Sequence, residues 1–311
     1  MNKSHTGTAI GKIILMGEHA VVYGQPAIAI PFPSVKIKTT IIEKKGPAEL
    51  NCFFYSGKLS YSPERLHGLI SLIRGITKGF NEALENFNVI IESSIPPERG
   101  MGSSAAVAVA TIRALYNYFD RPLNDNELIK WANASEKIVH GNPSGIDVAI
   151  ISGENPLYYI KGSPFVPFGF KIDAYLIVAD TGELGQTQAA VAGVRKFIEN
   201  YPVKGESIIR ELGRLTDTSK KAIKGNDVIS LGQDMIKAHR LLDKLGVSNN
   251  SLNNLVSTAL SNNALGAKLT GGGRGGSMIA LASNKDEANL ICEKLLFNGA
   301  KDIWISDLGV D

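Results

Sequence analysis

Alternation is cleanest at Val35, Ile37, Thr39 and Ile41, which share one face and predict a half-buried strand over 35–43. Short apolar runs at 10–15 and 27–30 read as strands on either side of a polar loop, 17–24. A further strand over 87–93 is stopped by Ile95-Pro96-Pro97. Residues 103–119 are rich in alanine and carry no charge before Arg113, which predicts a helix buried on most sides. The stretch 123–140 has the period of an amphipathic helix, with Asn124 or Asp125 placed to cap it.

Beyond Pro164 and Pro167 the pattern changes. A strand at 174–179 leads into four helical segments, about 187–200, 203–224, 226–245 and 249–263. The chain then runs strand, glycine-rich turn, strand, helix, strand over 266–270, 271–276, 277–282, 285–298 and 302–306. The first half mixes strands and helices, while the second is helix-rich with a small sheet. We place the boundary so that the domains are 1–168 and 169–311.

Length agrees, since 311 residues suit two domains better than one core. A composition 44% hydrophobic and 20% charged is that of a soluble globular protein. Basic residues number 33 against 30 acidic, a net +3, and no basic cluster exceeds pairs such as Lys44-Lys45, so no nucleic-acid partner is expected. No apolar run approaches the ~18–20 residues of a membrane span, and no secretory signal is expected. Cys52 and Cys292 lack metal-ligand spacing and are expected as buried free thiols in a reducing compartment, the cytoplasm.

The 32 glycines gather at 100–102, 141–145 and 271–276. Gly271, Gly273 and Gly276 formally satisfy G-x-G-x-x-G, but a β-like segment follows where a dinucleotide fold needs a helix. A plain hairpin turn needs only one or two glycines. Five in the six positions 271–276 point to close approach of a ligand. The segment PERGMGSSA (97–105) carries more information, because a glycine loop enters a buried helix with two serines at its start. Unsatisfied amides there form an anion cradle, and a serine N-cap is compatible with that role. Neither G-x-x-x-x-G-K-[ST] nor G-x-S-x-G occurs, which excludes a Walker A loop and a hydrolase elbow.

Helical geometry turns Glu136 inward with Ala132 and Ile129, where a carboxylate needs a cationic partner or a metal. His140 reads as structural, and the turn Gly-Asn-Pro-Ser-Gly then leads to Asp147 at the edge of an apolar stretch. Asp147 is either a helix cap or a base or second metal ligand. Lys12 beside an apolar strand needs an anion, Asp147 or a phosphate. Glu18 and His19 lie in a loop between apolar strands, where substrate-reading residues sit, unless that loop is plain surface.

The segments GKIILMGEHAVVYG, PPERGMGSSAAVAVA, EKIVHGNPSGID and KLTGGGRGG resemble, in order and spacing, the motifs of the GHMP kinases (galacto-, homoserine, mevalonate and phosphomevalonate kinases). GEHAVVYG and HGNPSGID resemble the mevalonate branch most closely. The resemblance implies an α+β, two-domain GHMP kinase fold: a ribosomal-S5-like N-terminal domain, a ferredoxin-like, helix-rich C-terminal domain, and an active site in the cleft between them. It implies a kinase that phosphorylates the C5 hydroxyl of mevalonate with ATP and Mg²⁺.

By the same resemblance Asp147 and Lys12 are catalytic, and Glu98, Arg99, Gly100, Met101, Gly102, Ser103 and Ser104 bind ATP. Ser104 and Glu136 hold the metal, while Glu18, His19, Thr187, Gly272 and Gly273 face the substrate. A homodimer is left open. Two departures stand out: Gly185 and Gln186 precede Thr187 where some members have an arginine, and Arg274 occupies a turn where others have only small residues. The alternatives are another kinase of this family, for phosphomevalonate or homoserine, or a metabolite sensor on the same fold. A sensor would have no need of Lys12, Glu136 and Asp147 together.

Overall fold

The computed structural model describes residues 4–95, 99–141 and 143–309, the side chain of His140 aside. The chain forms two compact units, one from Met1–Lys12, Val35–Pro97 and Gly102–Glu154, the other from Ile13–Ser34, Glu98–Met101 and Asn155–Asp311.

In the first unit lie parts of β1 (Ser4–Met16) and β2 (Pro26–Pro47), then β3 (Glu49–Cys52), β4 (Tyr55–Lys58), α1 (His67–Gly79), β5 (Glu85–Ser93), α2 (Ser103–Tyr118), α3 (Asp125–His140) and α4 (Ile146–Gly153). Its strand order is β4-β3-β5-β2, and β1 also pairs with β2. Residues 37–43 of β2 run antiparallel to 87–93 of β5, and their alternation is as expected, with Val35, Ile37, Thr39 and Ile41 buried. Thr39 Oγ1 meets Thr111 Oγ1 of α2 at 3.2 Å, so the one polar residue of that buried face finds its partner on the covering helix. Alanines let α2 come close: a Cβ at Gly7 of β1 would lie 2.2 Å from the Ala110 carbonyl oxygen. Asn124 is the cap of α3, its Oδ1 accepting from Glu127 N at 3.0 Å.

The strands expected at 27–30 and 35–43 are one element, β2. Pro31 and Pro33 fall between the part that pairs with β5 and the part, Pro26–Ala29, that pairs with Tyr158-containing residues 157–160, so neither proline interrupts those ladders. Cys292 is buried as expected, but Cys52 at the end of β3 is only half-buried.

The second unit adds β6 (Leu157–Ile160), β7 (Val166–Pro167), β8 (Tyr175–Asp180), α5 (Thr187–Asn200), α6 (Pro202–Lys224), α7 (Val228–Lys244), α8 (Asn250–Ser261), β9 (Gly266–Thr270), β10 (Ser277–Ala282), α9 (Lys285–Phe297) and β11 (Asp302–Asp307). β11, β8, β10 and β9 form an antiparallel sheet in that order. Every residue of β9 and β10 is buried, because α7, α8 and α9 pack against this sheet. α7 approaches β9 backbone to backbone, where a Cβ at Gly232 would lie 2.2 Å from the Leu265 carbonyl oxygen.

Candidate active site

The first unit gathers one set of the expected residues. Lys12 of β1 is 3% exposed, and its Nζ lies 3.1 Å from Oδ1 of Asp147, whose side chain is 33% exposed. Asp147 stands in the first turn of α4, but Gly145 with φ +82° holds the cap position, so this carboxylate is not a helix cap. Its charge is nonetheless favoured by the positive end of the α4 dipole.

Gly102, φ +75°, precedes α2 and occupies the left-handed region that glycine tolerates. A Cβ there would lie 2.9 Å from Lys12 Cγ and 2.9 Å from Ile151 Cδ1. The lysine stem therefore crosses the entry to α2 on its way to Asp147. The helix ladder begins with Ala106 N donating to the Gly102 carbonyl at 3.0 Å, which leaves the amides of Ser103, Ser104 and Ala105 without intrahelical acceptors. Neither serine caps the helix. Glu136 of α3 is 3% exposed, as its inward placement predicted, and α3 packs on α2 and α4.

The second unit gathers the other set. Arg99, expected at phosphate, spends two nitrogens on its own unit: Nε donates to Asp180 Oδ2 at 2.8 Å and Nη2 to the Gly182 carbonyl at 2.9 Å. Burial raises the Asp180 carboxyl, opposed by the Gly182 amide and Arg99. Met101 is buried, and Gly100 lies against the glycine turn, its missing Cβ 3.1 Å from the Thr270 carbonyl oxygen. Two glycine clusters recognised separately in the sequence thus pack on each other.

Glu18 and His19 are both buried. Glu18 pairs with Lys268 of β9, whose Nζ also donates to the Leu269 carbonyl at 2.7 Å. Burial lowers the Lys268 ammonium and the Glu18 carboxylate pulls it back up. His19, at φ +59°, donates from Nε2 to the Gly272 carbonyl at 2.9 Å. Burial first, then the charges of Arg274 and Lys268, push its imidazole down to about 4, against the raising effect of the Gly272 bond. Thr187 opens α5 with its Oγ1 2.2 Å from where a Cβ of Gly272 would stand, and Gly273 lies as closely on the Val247 carbonyl.

Among the described residues, Lys12, Asp147, Glu136 and Gly102–Ser104 thus belong to the first unit, and Glu18, His19, Arg99–Met101, Thr187, Gly272 and Gly273 to the second. Glu98 lies outside the described residues. Sequence reasoning passed over three groups: Lys268, Asp180 and His239. The last accepts from Leu269 N through Nδ1 at 3.3 Å and meets Asn253 Oδ1 through Nε2 at 3.1 Å. A lysine within an otherwise apolar strand was the signal for the first of them.

Comparison with known proteins fits this arrangement. The family model for the GHMP kinases N terminal domain matches residues 71–154, and that for GHMP kinases C terminal matches 219–301. A mevalonate kinase of Pyrococcus abyssi is 36% identical over 302 residues, covering 89% of this chain and 88% of its own length. One of Thermococcus onnurineus is 37% identical over 306 residues, with 89% of each covered. The crystal structure of L. major mevalonate kinase in complex with R-mevalonate superposes with a TM-score of 0.84 at 27% identity, over 100% of this chain and 98% of that one. With a motif-bearing glycine loop, a lysine–aspartate pair and matches of this extent, the chain belongs to the GHMP kinase family, enzymes that draw their phosphoryl group from ATP. The relatives just described are all of its mevalonate branch.

Proposed function

We propose that this chain transfers the γ-phosphoryl group of ATP to the C5 hydroxyl of mevalonate, giving 5-phosphomevalonate and ADP. The carrying observation is the Lys12–Asp147 pair, 3.1 Å apart, with the lysine stem laid over the glycine that opens α2. Phosphoryl transfer asks the protein for positioning and charge neutralisation, with little covalent work. The amides at the start of α2, over Gly102–Ser104, cradle the triphosphate. Asp147, open to solvent on one side, accepts the hydroxyl proton or orients that hydroxyl. Lys12 stabilises the oxygen as it becomes negative.

Magnesium fits the donor set, since Glu136 is a buried carboxylate and Ser104 brings a hydroxyl in the first turn of α2, both hard oxygens. These two residues would hold the ion, and bound there it would neutralise phosphate charge. Glu18, His19, Thr187, Gly272 and Gly273 shape the substrate pocket, the first two mainly by fixing the loop that carries them. We assign residues 1–168 to nucleotide handling, 169–311 to the second domain, and the reaction to the cytoplasm.

The test is a coupled ADP-release assay with Mg-ATP and mevalonate, phosphomevalonate, homoserine or galactose. Turnover should favour mevalonate, and a larger kcat/KM for any of the others would overturn the assignment. In the same assay Glu136→Gln should raise the Mg²⁺ requirement, whereas an unchanged metal titration would make Glu136 structural.

A further inference from the structure

The turn 271–276 contains one residue that is not glycine, and it adopts a glycine's conformation. Arg274 has φ +56°, in the left-handed region where a Cβ is strained. Its side chain leaves the turn sideways. Nε donates to the Gly246 carbonyl at 3.1 Å and Nη1 to the Ala189 carbonyl at 3.2 Å, while its backbone N–H donates to the Val247 carbonyl at 2.8 Å. One planar guanidinium therefore ties the first turn of α5 to the loop that follows α7.

α5 has made room for it. A Cβ at Gly193, one helical turn beyond Ala189, would lie 2.4 Å from Arg274 Nη2 and 3.2 Å from Cζ. A glycine inside a helix is unfavourable by itself, and here it is what lets the guanidinium lie flat on the helix. The same end of α5 touches the turn twice more: Gln186 N donates to the Gly273 carbonyl at 3.2 Å, and Thr187 Oγ1 stands over Gly272.

We propose that Arg274 is a positioning residue for the acceptor substrate: it clamps α5 to the glycine turn and so fixes Thr187 relative to Gly272 and Gly273. The inference rests on the substrate role proposed for those three residues. It also accounts for a strained arginine where glycine would fit without strain, because the side chain holds two carbonyls that glycine could not reach.

The experiment measures KM for mevalonate and for ATP, kcat and melting temperature in Arg274→Gly, Arg274→Lys, Gly193→Ala and the double variant Arg274→Gly/Gly193→Ala. Mispositioning should raise the mevalonate KM on the order of 10–100-fold in each single variant, with the ATP KM within about twofold. Lysine should not rescue, since a point charge cannot span both carbonyls. Gly193→Ala should be harmful with Arg274 present and nearly neutral in the Arg274→Gly background, because the clash has lost its partner. A mevalonate KM unchanged in Arg274→Gly, both KM values rising together with a falling melting temperature, or simple additivity of the two substitutions would each overturn the proposal. If the wild-type enzyme prefers a different alcohol, the functional assignment fails instead, and the same split in KM is read with that alcohol.

Discussion

Each unit contains a lysine paired with a carboxylate, and the two pairs differ in access. Lys12–Asp147 has a buried lysine and a carboxylate one-third exposed, beside helix amides with no intrahelical acceptors. Lys268–Glu18 is sealed, 0% and 1% exposed, with the lysine also satisfying a backbone carbonyl. A charge that keeps one face open can meet a ligand. A charge closed on all sides can only hold its neighbours in place, and removing its partner leaves it in a medium that solvates it poorly. A lysine–carboxylate pair is thus left open to a ligand in one unit and serves architecture in the other.

The strongest way to break this contrast is to neutralise the open carboxylate. Asp147→Asn should lower kcat on the order of 10²–10⁴-fold while mevalonate and ATP still bind. Near-normal turnover would remove the centre of the mechanism. In the sealed pair the loss should appear in stability instead. Lys268→Met leaves Glu18 buried without its lysine and should cost about 3–5 kcal/mol in denaturant unfolding, more than Asp147→Asn costs. Glu18→Gln combined with Lys268→Met should recover much of it, and a double variant no better than the single would show that the charge pair is not the cause.

Acid sharpens the comparison further. His19 and His239, both in the second unit, are pushed down to about 4 from 6.5, chiefly by burial. Between those values the unfolded chain binds more protons than the folded one. Stability is therefore complete above pH 6.5 and falls as pH drops toward 4, by up to about 3 kcal/mol per histidine. Denaturant curves at pH 7 and pH 5 check the sign, and hydrogen exchange should place the loss in the second unit. Stability that stays flat over this interval would contradict the buried, neutral histidines.

What the sequence disclosed depended on how local the cause was. Periodicity located α2 and α3, and the glycine-to-serine run at 100–104 marked the entry to α2, because each signal lies within one segment. No element is assigned from sequence to the segment of α1, HGLISLIRGITKG, whose three glycines are unfavourable inside a helix. Their reason lies elsewhere in the chain: a Cβ at Gly68 would meet Val139 at 2.5 Å, and one at Gly75 would meet Trp131 at 2.9 Å. Lys268 stands out locally as a lysine in an apolar strand, but its partner is not legible there, being 250 positions away. Arg99 was read as a phosphate ligand from its motif alone, and nothing adjacent announces Asp180.

That separation has a consequence for how the protein is made. A ribosome adding about 5–20 residues per second takes roughly 10–50 s to pass from Glu18 to Lys268. Throughout that interval the turn carrying Glu18 and His19 has no strand to dock on, and its carboxylate stays hydrated. The second unit, which needs residues near 18, near 99 and near 268 together, completes its core only as the last part of the chain emerges. The sealed ion pair is then a late event of folding, and its loss should show first as slower maturation of the newly made chain.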